Sequence, residues 1–190
     1  MQQSKAALAR LALLVRDDFG LRASDPFDPF VWSNEHGVPF ISVQEFAADD
    51  AAAQRFLRER EGVWSAALIR DGNRHAVLYN SMNSEQRTRS DLTHEIAHFE
   101  AAHAVTPSWT SERGCGGATP QAEREAAELA GAILVPAEEA RKAAIKGLAP
   151  IVVARQFQVS VEMATWRMRE SGGYIIARRY AAKQAGRAVG

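Results

Sequence analysis

Cysteine is nearly missing from this 190-residue chain. With Cys115 alone, no internal disulfide can form, which suits a reducing interior. A surplus of either charge is missing as well. The 23 Lys and Arg balance 23 Asp and Glu, so no global charge argues for nucleic acid or membrane as the partner. Long apolar runs are also lacking. The stretch Leu11 to Val15, flanked by Arg10 and Arg16, falls far short of the roughly 20 residues that cross a bilayer. The amino end likewise lacks a long apolar h-region and a small-residue cleavage site before Asp17 and Asp18, so no secretory signal is expected. What is present, 46% apolar and 24% charged residues, is enough for one well-buried core or one domain with a small appendage. These features predict a soluble, cytoplasmic protein.

Periodicity predicts the local structure. Leu8, Leu11, Ala12 and Val15 recur at helical spacing over residues 4–18, with Lys5, Arg10 and Arg16 elsewhere on the cylinder. Asp28-Pro29 reads as an N-cap followed by Pro at the first helical position, and Gly37 as the stop two turns later. His36, in that last turn, reads as a cation favoured by the helix dipole. Val38 to Val43 is β-prone, and Pro39 puts it at a sheet edge. A helix follows from about Gln44 to Glu61, with Phe46, Phe56 and Leu57 inward. Val63–Ile69 and His75–Tyr79, joined through Asp71-Gly72, form an antiparallel hairpin with His75 exposed near its turn. Two longer helices are predicted, from Ser84 to His103 and from Pro120 to Val135. Between them lies a loop with Pro107, Trp109 and the Gly-rich run around Cys115, which reads as an incidental loop cysteine.

The first long helix carries His94-Glu95-Ile96-Ala97-His98. Residues four apart sit one turn apart on the same face, so both imidazoles can reach one ion. Zinc suits that pair, because it accepts two imidazoles, a third protein ligand and a water whose pKa it lowers to about 7. Glu95 is turned aside from the histidines, where it can serve as general base. Two histidines on a helix are also compatible with a plain structural role, and a third ligand decides between the two readings.

Glu100 is about 200° from His98 and faces away, while His103 lies about 180° off the ligand face. Reaching the ion from His103 would need a break at Ala101-Ala102, so His103 reads as a helix-end cation or a rim residue. On the second helix Ala122, Ala126, Leu129, Ala130 and Ile133 form an apolar stripe. Glu123 is displaced from it by about 60°, Glu125 by about 100° the other way and Glu128 by about 200°. Glu123 is therefore best placed to face the first helix, whereas Glu125 and Glu128 read as a solvated acidic face.

Taken together, VLYN with Arg87, then HEIAH, then EREAAELAGAILVP resemble the ImmA/IrrE family of small zinc-dependent endopeptidases over about Phe27 to Pro136. The resemblance implies one catalytic zinc held by His94, His98 and Glu123, with Glu95 as the base. It implies a gluzincin-like layout in which a sheet edge beside the metal can hold an extended peptide. As partner it implies a helix-turn-helix repressor of the XRE type, inactivated by cleavage in a stress-response or mobile-element circuit. Ala127 stands where the family has Asn, Leu129 where it has Phe, and Ser90 where it has an aromatic residue. The missing Asn removes a group able to orient a zinc histidine, which bears on catalytic strength rather than on metal binding.

From Arg141 onward ten basic residues face only Glu162 and Glu170. Phe157, Val159, Ser160 and Arg167 have a helix-turn-helix spacing, which allows DNA contact. An αα-hairpin packed on a catalytic core is the favoured reading. The expected fold class is α+β, a small antiparallel or mixed sheet packed by helices, with a zincin-like domain over 1–147 and a basic helical extension over 148–190. The alternative to an endopeptidase is a metal-bearing module that sequesters a repressor or contacts DNA without cutting.

Overall fold

The computed structural model describes residues 3–59, 64–72, 74–103 and 118–188. Cys115 with its Gly-rich loop, Pro107 and Trp109 lie outside the described residues, as do the side chains of Phe46, Phe56 and Leu57. In chain order the elements are α1 (Lys5–Asp17), α2 (Pro29–His36), β1 (Phe40–Ser42), α3 (Val43–Phe46), a 3-10 turn (Ala47–Asp49), α4 (Ala51–Glu59), β2 (Ala66–Asp71) and β3 (Arg74–Tyr79). Then follow α5 (Glu85–Glu100), α6 (Pro120–Leu134), α7 (Ala137–Ile145), α8 (Pro150–Phe157), α9 (Val161–Glu170) and α10 (Gly173–Ala188). The class is α+β. The chain divides into two compact units, Met1–Ser4 with Asp28–Ala130, and Lys5–Phe27 with Gly131–Gly190.

In the first unit a three-stranded sheet has the order β1-β3-β2, with β1 parallel and β2 antiparallel to β3. Pro39 precedes an edge strand as expected, and its carbonyl accepts from the Val77 amide at 2.9 Å. The hairpin register pairs Leu68 with Val77, and Gly72 turns the chain at φ +59°, in the left-handed region that favours glycine. Asp28 accepts from the Phe30 amide at 2.9 Å, and Gly37 closes α2 at φ +61°. The helix expected over Gln44–Glu61 is instead broken into α3, the 3-10 turn and α4. Helix α4 starts just after Asp50, a residue type whose side chain competes with helical hydrogen bonding. Helix α5 lies against β2 and β3, burying Leu92, Ile96 and Ala97 on one face. Its start is capped by Ser84, whose Oγ accepts from the Arg87 amide at 3.3 Å. Trp32, fully buried, stacks on His36 at 4.4 Å and meets Phe99 edge-on at 5.3 Å.

The second unit holds α1, the end of α6 and α7 to α10. Leu8, Ala12 and Val15 are buried as the stripe predicts. Arg16 is not a surface residue: at 1% exposure it donates to the carbonyls of Ile133 (2.8 Å), Arg22 (2.8 Å) and Asp25 (2.6 Å). Arg167, also buried, donates to Val135 O at 3.1 Å. Two cations thus meet carbonyls at the end of α6, where the helix leaves acceptors unpaired and the dipole favours positive charge. Gly131 is required by close approach, because a Cβ there would lie 2.4 Å from the Trp166 ring. Helices α8 and α9 are joined by the short turn Gln158–Ser160, with Gln158 at φ +55° and Ser160 Oγ accepting from Met163 N at 3.1 Å. Among the described residues no helix is long and apolar enough to cross a membrane.

Candidate metal centre

Helix α5 aligns His94 and His98 one turn apart, and the first turn of α6 brings Glu123 to them. His94 Nε2 lies 3.1 Å from Glu123 Oε2 and 3.1 Å from His98 Nε2, and His98 Nε2 lies 3.5 Å from Glu123 Oε1. One ligand atom from each residue falls within 4.8 Å of the others. The edge of a tetrahedron with zinc-type bonds is about 3.3 Å, close to the separation of the two Nε2 atoms and of each from its nearer Glu123 oxygen. Glu123 Oε1 is buried and makes no hydrogen bond among the described residues, as an oxygen reserved for a cation would be. The nitrogen, nitrogen and carboxylate donor set fits a divalent ion of the zinc class.

The electrostatics separate the members of this cluster. Burial works against charge on His94, but the bond to Glu123 and the charges of Glu95, Glu123 and Asp91 outweigh it and hold the imidazole above its usual range. Burial, with His94 beside it, drives His98 down to about 4. Glu123 is held below the usual carboxylate range, first by its bond to His94. Glu95 is pushed up by burial, partly offset by His94 and by the Leu68 amide, which donates to Glu95 Oε2 at 2.8 Å. The carboxyl of Glu95 thus has a raised proton affinity beside the imidazole of His94. Asp91, one turn before the histidines, is tied to Asn83 Nδ2 at 3.3 Å and to Arg87 Nε at 3.5 Å, and burial raises it.

Other residues fall partly as the sequence predicts and partly not. Glu100 does face away, accepting from Trp32 Nε1 at 2.8 Å. His75 is half-buried rather than exposed, with its ring 5.2 Å from Phe99. Tyr79 lines a cavity of about 410 Å³ with Asp28, Phe30, Glu85 and Arg89. The largest difference concerns His103 and Glu125. The helix does not run to His103. It stops at Glu100, and Ala102 adopts φ +51°, with His103 N donating to His98 O and Ala102 N to Phe99 O, both at 3.0 Å. This is a Schellman stop with alanine at the left-handed position. It turns His103 back so that its Nδ1 lies 3.1 Å from His98 Nδ1 and its Nε2 lies 3.4 Å from Glu125 Oε2. Glu125 is accordingly buried, not solvated. Angular position on an unbroken helix could not show either fact. The visible signal was a third histidine just past the motif, with a second glutamate two residues beyond Glu123. Ala127, exposed, carries no polar group toward the histidines.

No curated protein and no solved structure gives a significant match to the chain. A family model does: residues 39–169, more than half of the chain, match the one described as IrrE N-terminal-like domain, Peptidase M78. That match begins after the Phe27 of the sequence resemblance and runs beyond Pro136, taking in α7, α8 and nearly all of α9. The chain therefore belongs to the Peptidase M78 family of IrrE N-terminal-like domains, a membership that supports a metallopeptidase function.

Proposed function

We propose that the protein is a zinc-dependent endopeptidase in which His94, His98 and Glu123 hold the metal and Glu95 is the catalytic base. The reading is carried by one observation: two imidazole nitrogens from α5 and a carboxylate from α6 converge at 3.1 to 3.5 Å, leaving a buried oxygen without a hydrogen bond among the described residues. A zinc ion bound there supplies an activated water and polarises the scissile carbonyl. The protein's own groups do the rest. Glu95 takes up a proton at its carboxylate, whose affinity burial has raised, and returns it to the leaving amine. The Leu68 amide keeps that carboxylate oriented through Oε2. His94 and His98 present lone pairs at Nε2 and hold no proton there once the metal is in place.

The substrate in this reading is a helix-turn-helix repressor, an assignment that rests on the family resemblance. Incubating purified protein with a candidate repressor, with and without chelator, tests it. Chelator-sensitive fragments that vanish in Glu95→Gln are the expected result. Repressor release without cleavage, insensitive to chelator, would instead identify a sequestering module. Cleavage by Glu95→Gln at the wild-type rate would overturn the mechanism.

A further inference from the structure

We propose that His103 and Glu125 act as positioning residues for His98: they fix its ring and its tautomer so that Nε2 is presented to the metal. The inference rests on reading His94, His98 and Glu123 as a metal centre.

A neutral imidazole carries one N–H. If Nε2 of His98 is to offer a lone pair to a cation, the proton must sit on Nδ1 and needs an acceptor there. That acceptor is His103 Nδ1, 3.1 Å away. Accepting at Nδ1 leaves the His103 proton on Nε2, which faces Glu125 Oε2 at 3.4 Å. Glu125 is a fitting terminus, since a carboxylate only accepts. Its Oε1 takes the Gln3 amide at 3.1 Å and the Gln121 side-chain amide. Every donor in the series then points one way, from His98 toward Glu125. The opposite polarity would place a proton on His98 Nε2 and block the ion. Water is a poor substitute, because the side chains of His98, His103 and Glu125 are only 7, 9 and 8% exposed. The Schellman stop at Ala102 is what delivers His103 to this position.

The test measures zinc alone, by competition with a chromophoric chelator at neutral pH, for wild type, His103→Phe, His103→Asn and His94→Ala. Outer partners of this kind typically contribute about 10–100-fold in metal affinity. His103→Phe is expected to lose that factor, and His103→Asn, whose side-chain oxygen can accept where Nδ1 did, to regain most of it. A ring that merely filled space would give the reverse order. Nitrogen-15 correlation spectra of zinc-loaded wild type, which need no variant to fold, are expected to show the proton of His98 on Nδ1 and that of His103 on Nε2. Wild-type affinity in His103→Phe, or a proton on His103 Nδ1, overturns the relay alone. A wild type that holds no zinc, or a His94→Ala variant that binds equally well, overturns the metal-centre reading and the relay with it.

Discussion

Replacing Ala102 isolates the turn that shapes this site. Its φ of +51° lies where an L side chain costs about 1–2 kcal/mol and glycine costs nothing sterically. Glycine's extra freedom in the unfolded chain takes back about 0.5–1 kcal/mol. Ala102→Gly should therefore stabilise the protein by about 0.5–1 kcal/mol, which corresponds to roughly 1–4 °C in Tm at this chain length. The methyl group is exposed, so no lost packing complicates the comparison. Ala102→Val should move the other way by about 1 kcal/mol or more, because a β-branched residue is a genuine outlier at positive φ. Thermal melts of the metal-free protein read both changes. Zinc competition on the same samples adds the functional half: Ala102→Gly should bind as wild type does, and Ala102→Val more weakly, since His103 follows the turn. A melting temperature that falls with glycine, or one unaltered by valine, would show that the left-handed stop does not hold in solution.

Three more outcomes are expected. Zinc affinity should fall on acidification, because His94 is held above its usual range and must give up its proton to the metal, whereas His98, near 4, is already neutral. Below the raised value of His94 the loss approaches about tenfold per pH unit, and calorimetric titrations from pH 5.5 to 8 that gave a flat profile would contradict this. Gly131→Ala should cost about 1–3 kcal/mol by forcing a methyl into the Trp166 ring, measured by urea unfolding. Arg16→Met should cost at least about 3 kcal/mol, since carbonyls of Ile133, Arg22 and Asp25 lose a charged donor together; a loss under 1 kcal/mol by the same assay would show that water replaces it.

Much of the first unit was legible because its signals are local. Asp28-Pro29 with Gly37, the Asp71-Gly72 turn and the i,i+4 histidines each encode geometry within a few residues, and each appears as expected. The convergence of Glu123 was legible for a related reason, since its angle from an apolar stripe is a property of one helix. What escaped depends on where a helix stops. Ala101-Ala102 contains no glycine and no proline, so nothing in residue type marks the left-handed turn that returns His103 to His98. Burial of Glu125 follows from that same turn and was hidden with it. Arg16 escaped for a different reason: a long side chain placed off the stripe can still run inward when backbone carbonyls await it.

The amide of Leu68 carries a consequence for the hairpin. Along β2 the backbone groups point alternately toward β3 and away from it, and Leu68 happens to be on the outward beat. Sliding that strand by a single residue would set Ala67 or Ile69 opposite Val77, so that an outward N–H still met the carboxylate while every side chain of the strand changed face. Indels of one residue between Leu68 and Asp71 should thus be tolerated far less well than indels of two, because only the latter return Leu68 to its own face of the sheet.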